Sequence, residues 1–385
     1  MTFFPLTEDR KLSSDSACTV TPEGGRSRRP PRAEGLVRVA AVQAPPVFLD
    51  LAASQMRAVE LIEKAAAGGA RLVAFAEAWL PGYPEWIVRG APWEDHQFKV
   101  LFARLSANSV EVADGDLRDL CAAAARHEVV VVIGVTERDT QFSRGTLYNS
   151  LVLIDATGSV QLVHRKLIPT HAEKIVWGAG DASGLRVRPT SIGRVGGLIC
   201  WEHWMPLARF ALHAQGEQIH VAVWPDLPEM NLLATRSYAF EGRCFVVAPG
   251  TRLLGSDLPR GMPAAYVFGR EPFSPETVLL KGGSVVVGPD GLVLAEAAMA
   301  DDLLFADLDL GAIAEEQQAM DVAGHYNRPD LFRLEVNALP AAQISFTAAS
   351  GADGTGGTPP PAAWSLDLRD HPSQERSKAD GPRVR

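Results

Sequence analysis

Three side chains of reactive type stand at the ends of apolar runs. Arg71-Leu-Val-Ala-Phe-Ala-Glu77 closes on a carboxylate, Ser159-Val-Gln-Leu-Val-His-Arg-Lys166 on a lysine and Arg194-Val-Gly-Gly-Leu-Ile-Cys200 on a thiol. A thiol supplies a nucleophile, and a carboxylate can take first the thiol's proton and then a water's. A lysine kept charged can stabilise an anionic tetrahedral intermediate. In layered α/β folds the C-terminal ends of strands gather along one edge, where sites form. Each residue also has an ordinary explanation. Most free cysteines are small buried apolar residues, so Cys200 alone fits a core thiol as well as a nucleophile. A strand-end lysine is usually solvated, and a carboxylate closing an apolar strand can cap a neighbouring helix. His203, three residues after Cys200, and His164, two before Lys166, also leave a Cys–His hydrolase open on spacing alone.

The elements that must position these residues follow from periodicity. Val195 to Ile199 reads as a buried strand, and a helix is expected from near Pro206 through Leu212, with Cys200 at the junction. Free N–H groups at the helix start would favour thiolate and receive an oxyanion. Near-continuous apolar runs at 36–43, 71–77, 128–134, 218–224, 244–248 and 303–310 predict strands covered on both faces. Helical spacing marks 52–67, closed by Gly68-Gly69, two segments within 94–127 that part near Asp114-Gly115, and about 230–242. Turns at Ala156-Thr-Gly158 and Pro289-Asp-Gly291 predict two hairpins. Residues 251–282, punctuated by Gly and Pro, are expected to form a long surface excursion, and 325–330 an ordered turn. Strand–helix alternation broken by hairpins predicts a mixed sheet with helices outside, in one large domain over 35–338. Residues 1–34 read as a disordered extension and 339–385 as a low-complexity tail, in which Trp364, Leu366 and Leu368 could dock locally.

Composition narrows the function classes. The 385 residues are 46% hydrophobic and 22% charged, with a formal net charge of −9. That balance suits a large globular core and argues against a nucleic-acid surface. The basic run from Arg26 to Arg32 falls in the extension and reads as solvated chain. Cys18, Cys121, Cys200 and Cys244 form no CxxC pair, which argues against a disulfide framework or a zinc site and suits a reducing cytoplasm. No apolar run reaches membrane-spanning length, and the N-terminus lacks the pattern of a signal peptide. Trp177-Gly-Ala-Gly180 lacks the setting of a phosphate loop.

Phe75-Ala-Glu77 with Pro81-Gly-Tyr-Pro84, His164-Arg-Lys-Leu-Ile-Pro-Thr170, and Gly197-Leu-Ile-Cys-Trp-Glu-His203 resemble, in order, the three motifs of the nitrilase branch of the carbon–nitrogen hydrolase superfamily. The likeness runs from Val37 to Asp330. It implies a four-layer α-β-β-α sandwich and a Glu-Lys-Cys triad carried by Glu77, Lys166 and Cys200. It also implies a second glutamate, for which Glu173 stands in the matching place. Trp201 with Glu202 is typical of true nitrilases, and Trp201 and Tyr83 are candidates to line the substrate pocket, with plain core packing the alternative for both. Two positions depart from the family pattern: Ala76 stands where many members carry proline, and His203 where many nitrilases carry asparagine.

The implied activity is hydrolysis of an organic nitrile to the carboxylic acid and ammonia through a thioimidate and a thioester, with no metal or organic cofactor. The alternatives are an amidase or carbamoylase of the same superfamily, and a cyanide- or nitrile-hydratase-type activity that stops at the amide. A catalytically silent scaffold fits less well, because all three triad residues are present. The resemblance further implies self-association into dimers or spirals.

Overall fold

The computed structural model describes residues 35–89, 94–140, 145–259, 262 and 274–340. The extension over 1–34 with Cys18, the tail beyond 340 with its three docking candidates, and most of the middle of the 251–282 excursion lie outside the described residues.

The first five strands are β1 (Leu36–Val42), β2 (Leu72–Ala74), β3 (Val130–Arg138), β4 (Leu147–Ile154) and β5 (Val160–Arg165). The next four are β6 (Arg188–Thr190), β7 (Gly193–Ile199), β8 (Ile219–Val223) and β9 (Phe245–Ala248). The chain then adds β10 (Arg252–Leu254) and β11 (Val278–Lys281), followed by β12 (Val285–Val287), β13 (Val293–Glu296) and β14 (Leu303–Asp309). They build two six-stranded sheets, ordered β14-β1-β2-β3-β4-β5 and β13-β12-β9-β8-β7-β6. Both sheets are mixed: β1, β2 and β3 run parallel, as do β7, β8 and β9, and antiparallel strands flank them.

Alternation along the strands creates the layers, because successive side chains point to opposite faces. Val37, Val39 and Ala41 of β1 enter a core shared with the second sheet, whereas Ala40 and Val42 face the other way. Leu72 and Val73 divide likewise, as do Val130 and Val131. On the outer side of the first sheet lie α1 (Leu51–Ala67) and α3 (Arg118–His127), through Ala58, Ile62, Leu120 and Ala124. α2 (His96–Ala107) falls between them in the chain. α4 (Pro206–His213) and α5 (Glu229–Gly242) pack on the second sheet through Ala208, Leu212, Ala234 and Tyr238. A short α6 (Gly311–Gln317) follows β14. The result is the α-β-β-α order that the motif resemblance implied.

Three local differences from the sequence expectations bear on the site. The strand expected over 71–77 ends at Ala74: Phe75 N still donates to Val132 O of β3 at 2.8 Å, but Glu77 N turns to Trp224 O, just past β8 of the other sheet, at 3.1 Å. Helix α4 starts at Pro206 as expected, but a 3₁₀ turn, Cys200–Trp204, separates it from β7. The ends of the 251–282 excursion are a paired ribbon rather than loose surface chain: β10 pairs with β11, and Leu253, Leu279 and Leu280 are buried there. Among the described residues, no helix is long and apolar enough to cross a membrane.

Candidate active site

Lys166 directly follows β5, and its N–H donates to the Asn149 carbonyl across the hairpin at 2.8 Å. Its side chain is not solvated: the residue is only 1% exposed. The Nζ atom donates to Glu77 Oε1 at 2.8 Å and to Glu173 Oε2 at 2.7 Å. Asn149 Nδ2 donates to the same Glu77 oxygen at 2.7 Å. Glu77 Oε2 is buried and, among the described residues, receives no N–H or O–H donor.

The backbone around Glu77 lies tightly on β3. A Cβ on Gly134 would overlap the main chain of Ala76 and Glu77, so the bare backbone there admits the crossing. Glu173 is placed by its own turn. Its Oε2 accepts Thr170 N at 2.6 Å, half of a capping box that closes the 3₁₀ turn His171–Ile175. Its Oε1 accepts the Tyr83 hydroxyl at 2.8 Å.

Cys200 opens its 3₁₀ turn with a left-handed backbone, φ 53°. Ala78, next to Glu77, and His171, next to the cap residue Thr170, are left-handed too, each with φ 45°. Such conformations cost about 1–3 kcal/mol in non-glycine residues and persist where the surroundings overdetermine them. One oxygen of Glu77, one of Glu173 and the Cys200 sulfur lie within 4.8 Å of one another. That trio has the donor set of a cation site, but the Lys166 ammonium bridges its two carboxylates.

Charge counting explains the protonation states. Two buried carboxylates face one buried ammonium, which leaves one negative charge unmatched away from water. Glu77 is accordingly pushed up to about 7, by burial first and by Glu173, with Lys166 opposing. For Lys166, burial works against the charge, but Glu77, Cys200 and Glu173 outweigh it and raise the ammonium's pKa. The Cys200 thiol is raised well above its ordinary value by burial, then by Glu77, with Lys166 opposing. Burial and Glu77 thus work against the thiolate that N–H groups at a helix start were expected to favour. At rest the group is a thiol, held beside a carboxylate that can take its proton.

Glu202 joins the two loops that carry Lys166 and Cys200. Its Oε1 accepts Leu167 N at 2.8 Å, its Oε2 accepts Ile199 N at 2.7 Å, and His164 Nε2 lies 3.0 Å from Oε2. Burial opposes the Glu202 carboxylate, but His164 and the two backbone donors lower its pKa below the ordinary value of 4.5. A lowered folded-state pKa contributes stability that is present above that value and is lost as the pH falls through the folded pKa. Glu202→Gln is therefore expected to cost about 1–3 kcal/mol at neutral pH. Melting temperatures of the two proteins should converge as the pH is taken well below 4.5. A gap that stays constant across that range would refute this role.

The structure brings Glu77, Lys166, Glu173, Cys200 and Tyr83 together. It leaves Trp201 at the surface, 56% exposed. A small cleft lined by Phe48, Trp79, Leu253 and Leu280 borders Tyr83. Neither histidine suits a Cys–His hydrolase. His203 engages Cys200 O through Nδ1 at 2.6 Å and His220 through Nε2 at 2.9 Å, and His164 faces Glu202. Asn149 and the bracing role of Glu202 were not anticipated. The register of the 147–166 hairpin could have placed Asn149 opposite Lys166, whereas nothing local marks Glu202 as a brace.

A family model described as carbon–nitrogen hydrolase matches residues 38–318. A bifunctional nitrilase/nitrile hydratase of Oryza sativa subsp. japonica is 40% identical over 326 residues, covering 82% of this chain and 88% of the relative. An aliphatic nitrilase of Rhodococcus rhodochrous is 37% identical over 334 residues, covering 82% of this chain and 83% of the relative. Among solved structures, a carbon–nitrogen hydrolase from Helicobacter pylori G27 superposes with a TM-score of 0.57 at 22% identity, covering 74% of this chain and 93% of that one. With the layered fold and the matched span in hand, the chain belongs to the carbon–nitrogen hydrolase superfamily, in its nitrilase branch.

Proposed function

We propose that this protein is a nitrilase, hydrolysing an organic nitrile to the carboxylic acid and ammonia. The observation that carries this is the buried cluster in which Lys166 bridges two carboxylates that lie within 4.8 Å of the Cys200 sulfur. Glu77 takes the thiol proton, the sulfur attacks the nitrile carbon, and Glu77 passes the proton to the nitrile nitrogen to give a thioimidate, which leaves Glu77 ionised again. Water activated by Glu77 adds to that carbon, and Lys166 stabilises the tetrahedral intermediate. Loss of ammonia leaves a thioester, and a second water releases the acid and returns the thiol. Glu173 holds Lys166 and Tyr83 in place. Tyr83 borders the substrate's approach, and Trp201 would meet substrate only where another surface covers it. No step in this scheme calls for a metal or organic cofactor.

A second outcome is supported by the bifunctional name of the Oryza relative. If the C–S bond of the tetrahedral intermediate breaks instead of the C–N bond, the product is the amide. The proposal takes residues 35–338 as the catalytic unit, flanked by an extension and a tail. It places the enzyme in the cytoplasm, supported by three unpaired buried cysteines, Cys121, Cys200 and Cys244. Self-association is supported by exposed apolar side chains on and beside α4 and α5, among them Trp201, Leu207, Met230 and Leu233.

Purified protein should release ammonia from members of a panel of aliphatic, aromatic and arylacetonitriles, with acid as the main organic product. Release from the matched amides alone would replace this function with an amidase. The rate should climb as the pH rises through about 7, because Glu77 must be ionised to accept a proton. Stability should move the other way. Folded Glu77 holds its proton above 4.5, where the unfolded chain has lost it, so stability falls between 4.5 and about 7.

A further inference from the structure

A second buried polar chain ends on the nucleophile's own carbonyl. His203 Nδ1 lies 2.6 Å from Cys200 O, and His203 Nε2 lies 2.9 Å from His220 Nε2. His220 Nδ1 lies 2.8 Å from Glu217 Oε1, and the Tyr238 hydroxyl donates to Glu217 Oε2 at 2.6 Å. All four residues are buried. The rings are held by packing: His203 stacks on Trp224 at 4.7 Å between centroids, and His220 on Tyr238 at 3.7 Å. Room for Glu217 comes from Gly196 in β7, where a Cβ would overlap Oε1.

The three links from Glu217 to Cys200 O need three hydrogens. A carbonyl has none to offer, so His203 Nδ1 must carry one. A neutral His203 then has a bare Nε2, which must receive a hydrogen from His220 Nε2. A neutral His220 then has a bare Nδ1, which must receive one from Glu217. A carboxylate with two neutral imidazoles supplies only two. The chain therefore holds one further proton, as a carboxylic acid on Glu217 or as an imidazolium beside its carboxylate, and is neutral in either form. If that proton is lost, two lone pairs face each other at one link, and one of the possible places is the Cys200 carbonyl.

We infer that Glu217, His220 and His203 are positioning residues of the reaction: they share one buried proton through three hydrogen bonds and so hold the carbonyl of Cys200, and with it the left-handed turn that presents the sulfur. This rests on Cys200 being the nucleophile. Burial raises Glu217 to about 7 and lowers His203 to about 3, which puts the shared proton chiefly on Glu217. The other titratable groups facing the chain are His213 and Cys244 beside Glu217, Arg209 with its partner Glu241 at the His203 carbonyl, and Glu202 and His164 on the Lys166 side. None of them hydrogen-bonds to the three links, so the proton count is unchanged.

Paired substitutions at Glu217 test the count. In Glu217→Gln the amide N–H can donate to His220 while the amide oxygen accepts from Tyr238, so all links survive without a titratable proton. Glu217→Leu leaves His220 Nδ1 without a donor. His203→Phe keeps the stack on Trp224 and removes both links. Glu217→Leu and His203→Phe should lose about tenfold or more in kcat with little change in KM, and the conservative Glu217→Gln should rescue most of that loss. The direct readout is NMR of ¹⁵N-histidine-labelled protein. Exchange-protected ring N–H signals for His203 and His220 are expected in the parent, in Glu217→Gln and in the inactive Cys200→Ala protein, and are expected to weaken in Glu217→Leu, where the two remaining links keep their hydrogens but His220 Nδ1 is left bare. Equal losses in Glu217→Gln and Glu217→Leu would overturn the inference, as would absent ring signals in an active parent. A parent that shows the ring signals but turns over no nitrile would overturn the nitrilase function instead, and the positioning role with it.

Discussion

Replacing Lys166 by methionine is expected to abolish turnover and to destabilise the protein by about 3–5 kcal/mol, the cost of leaving a buried charge without its partner. The ammonium sits between Glu77 and Glu173 at 2.8 and 2.7 Å with almost no exposure, so methionine fills its space but not its charge. Without the ammonium that lowers it, Glu77 would rise further in pKa and take up a proton. The folded protein would bind more protons than the unfolded chain above about 4.5, so the variant's deficit should grow as the pH rises and shrink at acid pH. Adding Glu173→Gln removes the surplus charge. The double variant should recover much of the melting temperature while staying inactive. Recovery of ammonia release in the double variant would show that Lys166 is structural and that the chemistry lies elsewhere.

Cys200→Ala is expected to remove ammonia release by roughly 10⁴-fold or more, the scale seen when a covalent nucleophile is deleted. Its melting temperature should stay close to the parent's, because the backbone at Cys200 is held through the carbonyl bond to His203 and through Glu202 at Ile199 N. Intact-mass spectrometry supplies the complement. A slowly hydrolysed nitrile should leave the parent carrying an acyl or imidoyl group on Cys200 and leave the variant unmodified. Ordinary turnover by the alanine protein would sink the covalent scheme.

The reach of the sequence differed from residue to residue. Glu77, Lys166 and Cys200 were visible because each closes a run of apolar residues, and an apolar run with a reactive end is a local pattern. Glu173 needed the family motif, although Thr170-His-Ala-Glu173 also has the spacing of a capping box, and the cap is what turns its carboxylate towards Lys166. The two-sheet layering came from the same resemblance, since periodicity alone predicts buried strands without saying which sheet each joins. The early end of β2 was hidden for a similar reason: Glu77 N bonds to Trp224 O, 147 positions along the chain. Cys200 shows a local and a tertiary influence in opposition: free N–H groups favour the thiolate, and burial works against it. A turn's free N–H groups are local, whereas burial beside two carboxylates is a tertiary property. His203 could be set aside as a base, but its tie to His220, Glu217 and Tyr238 joins the Cys200–Trp204 turn, β8 with the residues leading into it, and α5.

The raised pKa and burial of Cys200 also bear on how the protein meets oxygen. Peroxide and electrophiles react with the thiolate, and they need access to it. A sulfur kept protonated and covered between turnovers presents neither, so its conversion to sulfenic acid is expected to be slow in aerated solution. In the proposed mechanism reactivity would be confined to the moment when a substrate is in place and Glu77 accepts the proton. The arrangement that equips the sulfur for the proposed catalysis would thus also protect it from oxidative ageing.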